Sequence, residues 1–157
     1  MKRGWSFVWL LVVGIAVAGC GLDDQAEVDR YTGTWSWESG STIEQTCDGD
    51  TNSYSLTGNI SILDGSSADL VWAGDECNWE FDIQAGEATI VPGQSCEYSG
   101  TTNGTQVDAT ESWSQWTMSE SGDAMSVDSH GTVEYEFPDG SVECTGSSTG
   151  TLTRVSG

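Results

Sequence analysis

The sequence predicts an all-β fold: an antiparallel up-and-down β-barrel or sandwich of about eight to ten short strands, stapled by disulfides. Three observations carry that expectation. Apolar residues alternate with a period of two along much of the chain. Turn dipeptides recur at short intervals: Asp64-Gly65, Ala85-Gly86, Asn103-Gly104, Ser121-Gly122 and Asp139-Gly140. Gly, Ser and Thr are abundant, Leu and Lys are scarce, and no stretch shows the period of an amphipathic helix.

The chain opens with a different texture. Lys2 and Arg3 supply a positive start, and Trp5 to Ala18 is an apolar run. Val17-Ala18-Gly19-Cys20 then sets a cysteine behind small residues. These are the parts of a secretory signal, in order, over residues 1–19. The run is short for a spanning helix, which needs ~20 apolar residues. Its ending resembles the bacterial lipobox. That resemblance implies cleavage before Cys20, acyl chains such as palmitate on Cys20, and a lipid bilayer as a partner. It also implies a place in the cell envelope. Gly21, not Asp, follows the cysteine. This implies the outer membrane in a two-membrane cell, and otherwise the outer face of the cytoplasmic membrane.

Residues 20–29 read as an acidic tether, with Asp23, Asp24, Glu27 and Asp29. Residues 30–157 read as a single β-domain. The formal charge of the whole chain is −21, and beyond the leader only Arg30 and Arg154 are basic. Nucleic acid is therefore excluded as a partner, because phosphate needs a basic face. The acids are dispersed, as on a solvated surface.

Besides Cys20 there are four cysteines: Cys47, Cys77, Cys96 and Cys144. An even number in an oxidising compartment reads as two disulfides, with three connectivities open. Cys77 and Cys96 flank the hairpin centred near Ala85-Gly86, which favours Cys77–Cys96 and, by elimination, Cys47–Cys144. A zinc site would need more: there is no CxxC pair, and His130 is the only histidine. No metal or cofactor is expected.

The strands follow from the alternation. Tyr31, Gly33, Trp35 and Trp37 share the first face. Tyr54, Leu56, Gly58, Ile60 and Ile62 continue the pattern, as do Leu70 and Trp72. Cys77, Trp79, Phe81 and Ile83 make the cleanest run. Val133, Tyr135 and Phe137 alternate with Glu134 and Glu136. One wet face and one buried face is the habit of antiparallel sheets. A closed barrel also removes exposed edges, and is preferred here to a sandwich.

Signals for catalysis are poor, and no enzyme is expected. Gly146-Ser147-Ser148-Thr149-Gly150 spells G-x-S-x-G, but no helix pattern follows it. His130, beside Asp128, reads as an exposed loop residue. Glu111 falls in the inward register of Val107, Ala109 and Trp113, where an acid among aromatics could hold a ligand; the commoner outcome is a register shift at a bulge that turns such an acid to water. Asp48-Gly49-Asp50-Thr51-Asn52 alternates oxygen ligands as calcium loops do, but lacks the closing acid.

The aromatic residues carry the functional expectation. Trp35, Trp37, Trp79, Trp113 and Trp116 could line a site for an apolar or ring-shaped molecule, and Trp72 shares their pattern. Thr32-Gly33-Thr34-Trp35 resembles the opening of lipocalin and avidin barrels. Gly40-Ser41-Thr42 and Ser114-Gln115-Trp116 are similar to avidin segments. The resemblance implies a barrel with Trp35 at its floor, and places Ser41 and Trp116 near a ligand. It departs at Trp37, where the avidin pattern has Asn. The expected function is a non-enzymatic envelope lipoprotein that binds a small apolar or ring-bearing ligand. The alternative is a structural or protein-interaction envelope lipoprotein with a filled core.

Overall fold

The computed structural model describes residues 22–155 apart from Asp75 and Asn103. The leader and Cys20 lie outside the described residues. Among the described residues, no helix is long and apolar enough to cross a membrane. The chain forms one helix, α1 (Leu22–Tyr31), and eleven strands. These are β1 (Gly33–Trp37), β2 (Thr42–Cys47), β3 (Asp50–Ser55), β4 (Asn59–Asp64), β5 (Leu70–Ala73) and β6 (Asn78–Gln84). They continue as β7 (Glu87–Ile90), β8 (Ser95–Thr102), β9 (Thr105–Ser121), β10 (Ala124–Phe137) and β11 (Gly140–Arg154).

The architecture is a closed antiparallel barrel with an overhang. Eight strands run in the order β1-β4-β5-β6-β7-β9-β10-β11, and β11 pairs back onto β1. The closing register sets Trp35 opposite Arg154 and Trp37 opposite Leu152. The strands β9, β10 and β11 are 17, 14 and 15 residues long, far longer than β5 or β7 at 4. Only part of their length fits the barrel wall. On β9, residues from Thr117 to Ser119 pair with β7, whereas Thr105 to Ser112 pair with β8. On β11, Cys144 to Thr149 pair with the β2–β3 hairpin. Beyond the barrel, therefore, β8-β9-β10-β11-β2-β3 continue as one sheet.

Turn chemistry accounts for several of the connections. Ala85-Gly86 joins β6 to β7 with both residues at positive φ, 54° and 80°. Asp48-Gly49 does the same between β2 and β3, at 51° and 89°. This acidic segment, weighed above as a calcium loop, is a two-residue hairpin turn. The alternating run from Tyr54 to Ile62 is two strands, not one: the chain breaks after Ser55 and restarts at Asn59, with Gly58 at φ 90°.

The segment read as a tether is largely helical. Leu22–Tyr31 forms α1, and its last turn docks on the barrel. Val28 is buried, and Tyr31 is 1% exposed. The Tyr31 hydroxyl lies 2.8 Å from the Gly86 carbonyl and 3.0 Å from that of Met118. Trp35 Nε1 donates to the Tyr31 carbonyl at 2.8 Å. Tyr31 thus stops the lower end of the barrel from a helix rather than from β1. The alternation rule placed it inward but could not reveal that a helical turn carries it there, because a burial pattern does not fix backbone geometry. Arg154 binds this corner together. Its guanidinium sits 4.3 Å from the Trp35 ring centroid, donates to the Thr32 carbonyl at 2.8 Å, and also contacts the Arg30 carbonyl.

The barrel is filled. Trp35, Ile62, Leu70, Phe81, Met118, Met125 and Leu152 are all fully buried in one continuous core. Eight strands leave an interior just wide enough for side chains to fill. Both disulfides form, Cys47–Cys144 with Cα atoms 4.3 Å apart and Cys77–Cys96 at 6.0 Å. Both tie the overhang: the first joins opposed residues of β2 and β11, and the second holds β8 to the loop before β6.

Candidate functional site

The site lies where the barrel passes into the overhang. A β-bulge creates it. Ser129 faces Trp116 and His130 faces Gln115, but Gly131 faces Trp113, so Ser114 is an extra residue on β9. The bulge reverses the parity of β9. Below it Met118 and Trp116 point inward, and above it Trp113, Glu111, Ala109 and Val107 do.

Glycines make room for the ring of Trp113. A Cβ on Gly131 would stand 2.4 Å from the Ser112 carbonyl oxygen and 2.8 Å from Cε3 of Trp113. On the next strand, the nearest atom to a Cβ on Gly146 would be Cη2 of the same indole, at 3.9 Å. The indole thus reaches across two strands that lack side chains beneath it. It stacks down onto Trp116, with centroids 5.2 Å apart and planes at 60°.

Above this floor is a pocket of about 190 Å³. Its lining includes Ile43, Gln45, Tyr54, Tyr98, Glu111, Trp113, Val133 and Tyr135. The walls follow from register. Ala109 stands between Tyr98 on β8 and Tyr135 on β10, so two tyrosines flank a small residue. Glu111 stands between Cys96 on β8 and Val133 on β10, both buried. Gln45 closes the β2 side and donates to the Tyr135 hydroxyl at 2.8 Å.

Electrostatics follow from these neighbours. Burial against a disulfide and a valine pushes the Glu111 carboxyl above the usual range, and the Trp113 indole offsets part of the rise. Burial is also the main cause that raises the Tyr98 phenol to about 12; next come Tyr135 and Glu111, with Glu76 contributing. Nε1 of Trp113 and of Trp116 are buried with no hydrogen-bond partner of acceptable geometry. Two orphaned donors in one cluster are unusual, because buried polar groups are nearly always paired.

Of the tryptophans singled out by sequence, Trp113 lines the pocket. Trp116 lies directly below as the hub of the core, meeting Trp72, Trp79, Phe81 and Trp113 at centroid distances of 4.9 to 6.2 Å. Trp35 is fully buried near the floor, and half-buried Trp37 packs on Trp72 at 6.0 Å. Trp35, Trp79 and Trp116 are thus packing residues, since a barrel of this size encloses them without a hollow. Ser41 is 2% exposed and engages the backbone: it donates to the Thr151 carbonyl at 3.2 Å and accepts from the Thr151 N–H at 3.1 Å. A Cβ on Gly150 would meet Ser41 at 2.5 Å, so Ser41 serves the closure of the sheet on β11.

The remaining candidates separate. Ser148 faces inward and pairs with Ser129 at 2.6 Å on a continuous strand, with no strand-to-helix turn. His130 is exposed, lies within β10 rather than a loop, and sits 3.5 Å from Asp128. The G-x-S-x-G match and the histidine therefore do not meet.

Sequence reasoning found Glu111 and Trp113 but assigned no site role to Tyr54, Tyr98, Tyr135 or Gln45. One signal was present. Three successive segments between turn dipeptides are each long enough for about 15 residues of strand, more than an eight-stranded barrel needs. Glycines 131 and 146 inside those segments marked the close approach. No protein-family model, curated protein or solved structure matches this chain.

Proposed function

We propose that this chain is an envelope-anchored lipoprotein, held through Cys20, whose β-barrel domain binds a small apolar or ring-bearing ligand without transforming it. One observation carries the reading: an aromatic pocket roofs a filled barrel, and the indole N–H of Trp113, which lines that pocket beside Glu111, makes no hydrogen bond of good geometry among the described residues. The tight core gives a rigid base for such a pocket. The anchor rests on the order of the leader parts, Lys2-Arg3, the apolar run and Cys20.

The test is native mass spectrometry of the chain purified from an oxidising envelope. A bound small molecule, released on unfolding and lost in Trp113→Phe, is the expected result. That variant keeps a ring in place but removes the donor. A clean apo mass for the natural chain would reject the binder. It would favour the second reading, a protein-interaction lipoprotein with a filled core. The observation behind that reading is the apolar tip of the overhang, where Phe137 is 37% exposed beside Val107, Ala109 and Tyr135.

A further inference from the structure

The walls of the pocket define the chemistry of what it takes. Tyr54, Tyr98, Trp113 and Tyr135 reach it from β3, β8, β9 and β10. Glu111 is the only carboxyl group among its lining residues; no Lys, Arg or His takes part. An aromatic face is negative at its centre and attracts a cation, most strongly where water is excluded.

Other ligand classes fit less well. An anion would meet a carboxylate in a chain of net charge −21. A wholly neutral ligand would seal Glu111 away from water without a partner, at a cost. A metal ion needs several ligating groups, and among the described residues no three His, Cys, Asp or Glu come together. A primary ammonium ion needs three hydrogen-bond acceptors, whereas a fully methylated, quaternary ammonium has no N–H, needs none and presents an apolar surface to the rings.

We propose that the pocket framed by Tyr54, Tyr98, Trp113 and Tyr135 holds a small quaternary methylammonium ion, with Glu111 as its counter-ion. This rests on the reading of the pocket as a ligand site. The cavity, at about 190 Å³, is below the ~300 Å³ of sites for drug-sized molecules, so it suits a head group of a few heavy atoms. The cation offsets the burial of the Glu111 carboxylate and leaves it facing the Trp113 indole, whose N–H has no well-formed acceptor otherwise.

Isothermal titration of the full chain in a non-ionic detergent at neutral pH tests this with two probes of one shape. Choline carries the trimethylammonium group, and 3,3-dimethylbutan-1-ol has carbon in place of the nitrogen. Choline is expected to bind about tenfold more tightly than the alcohol. In Glu111→Gln, choline is expected to weaken by about tenfold while the alcohol is unchanged. An unchanged circular dichroism spectrum shows that the variant folds. Equal binding of the two probes, or a choline affinity indifferent to Glu111→Gln, overturns the cation but leaves the pocket as a site for neutral ligands. Absence of binding by either probe also overturns the cation. If native mass spectrometry then shows a cargo, only this inference falls; if it shows none, the ligand-site reading falls with it.

Discussion

Trp113 and Trp116 lie on the same strand three positions apart, yet their rings touch at 5.2 Å on the same side of the sheet. An odd spacing sends side chains to opposite faces of a regular strand. The extra residue Ser114 restores the parity, and its hydroxyl donates to the His130 carbonyl at 3.1 Å across the bulge. The whole pocket depends on this irregularity. Without it, Glu111, Ala109 and Trp113 would all face water.

Gly131→Ala is therefore expected to destabilise the fold by about 1–3 kcal/mol, because the added methyl meets backbone and ring that cannot both retreat. Gly146→Ala, where the nearest atom is 3.9 Å away, should cost far less. Urea unfolding of the two variants checks the contrast. Equal effects would show that the indole does not lie where described.

Glu111 has a folded-state pKa raised by burial, so its contribution to stability is present below the unfolded value and lost as pH rises through the folded one. Ionising Glu111 in the unliganded fold is therefore unfavourable. Glu111→Gln should raise the melting temperature at pH 7, with the gain vanishing in acid. Glu76, the nearby carboxylate that also acts on Tyr98, supplies the control: Glu76→Gln removes a charge beside the pocket without touching Glu111. Thermal melts across pH measure both.

The Tyr98 phenol, at about 12, should ionise well after ordinary tyrosines, whose value is near 10. Its stabilising contribution is full below the unfolded value and disappears as pH rises toward 12. Ultraviolet titration of phenolate absorbance should show a late fraction that Tyr98→Phe removes. Tyr31, also raised by burial, is the residue to subtract.

Removing Cys47–Cys144 by paired alanine substitution should cost about 4–5 kcal/mol, and removing Cys77–Cys96 about 3 kcal/mol, from the loops of 97 and 19 residues that they close. Denaturant midpoints of the two double variants give the order.

The sequence made much of this fold legible. Alternation and turn dipeptides report local backbone, and they marked the barrel and the hairpin that sets Cys77 near Cys96. The inward register of Trp113 was legible for the same reason, whereas for Glu111 alternation left open a bulge that would turn it to water. Three features were not. The bulge at Ser114 leaves no residue signature, since serine suits either geometry. The docking of Tyr31 depends on a helix whose residues, from Leu22, read as polar and acidic. The convergence of Tyr54, Tyr98 and Tyr135 arises from pairings between β2–β3 and β11 and between β8 and β9, which alternation within single strands does not encode.

The docked helix also gives the molecule a direction. The chain enters at the barrel floor, beside the β9–β10 turn, where Arg30 pairs with Glu120 at 2.6 Å. β10 then runs from that floor to the tip of the overhang, about 45 Å for 14 residues. The helix and the pocket therefore lie toward opposite ends of β10, so a change in how the helix docks reaches the pocket only through the length of the sheet.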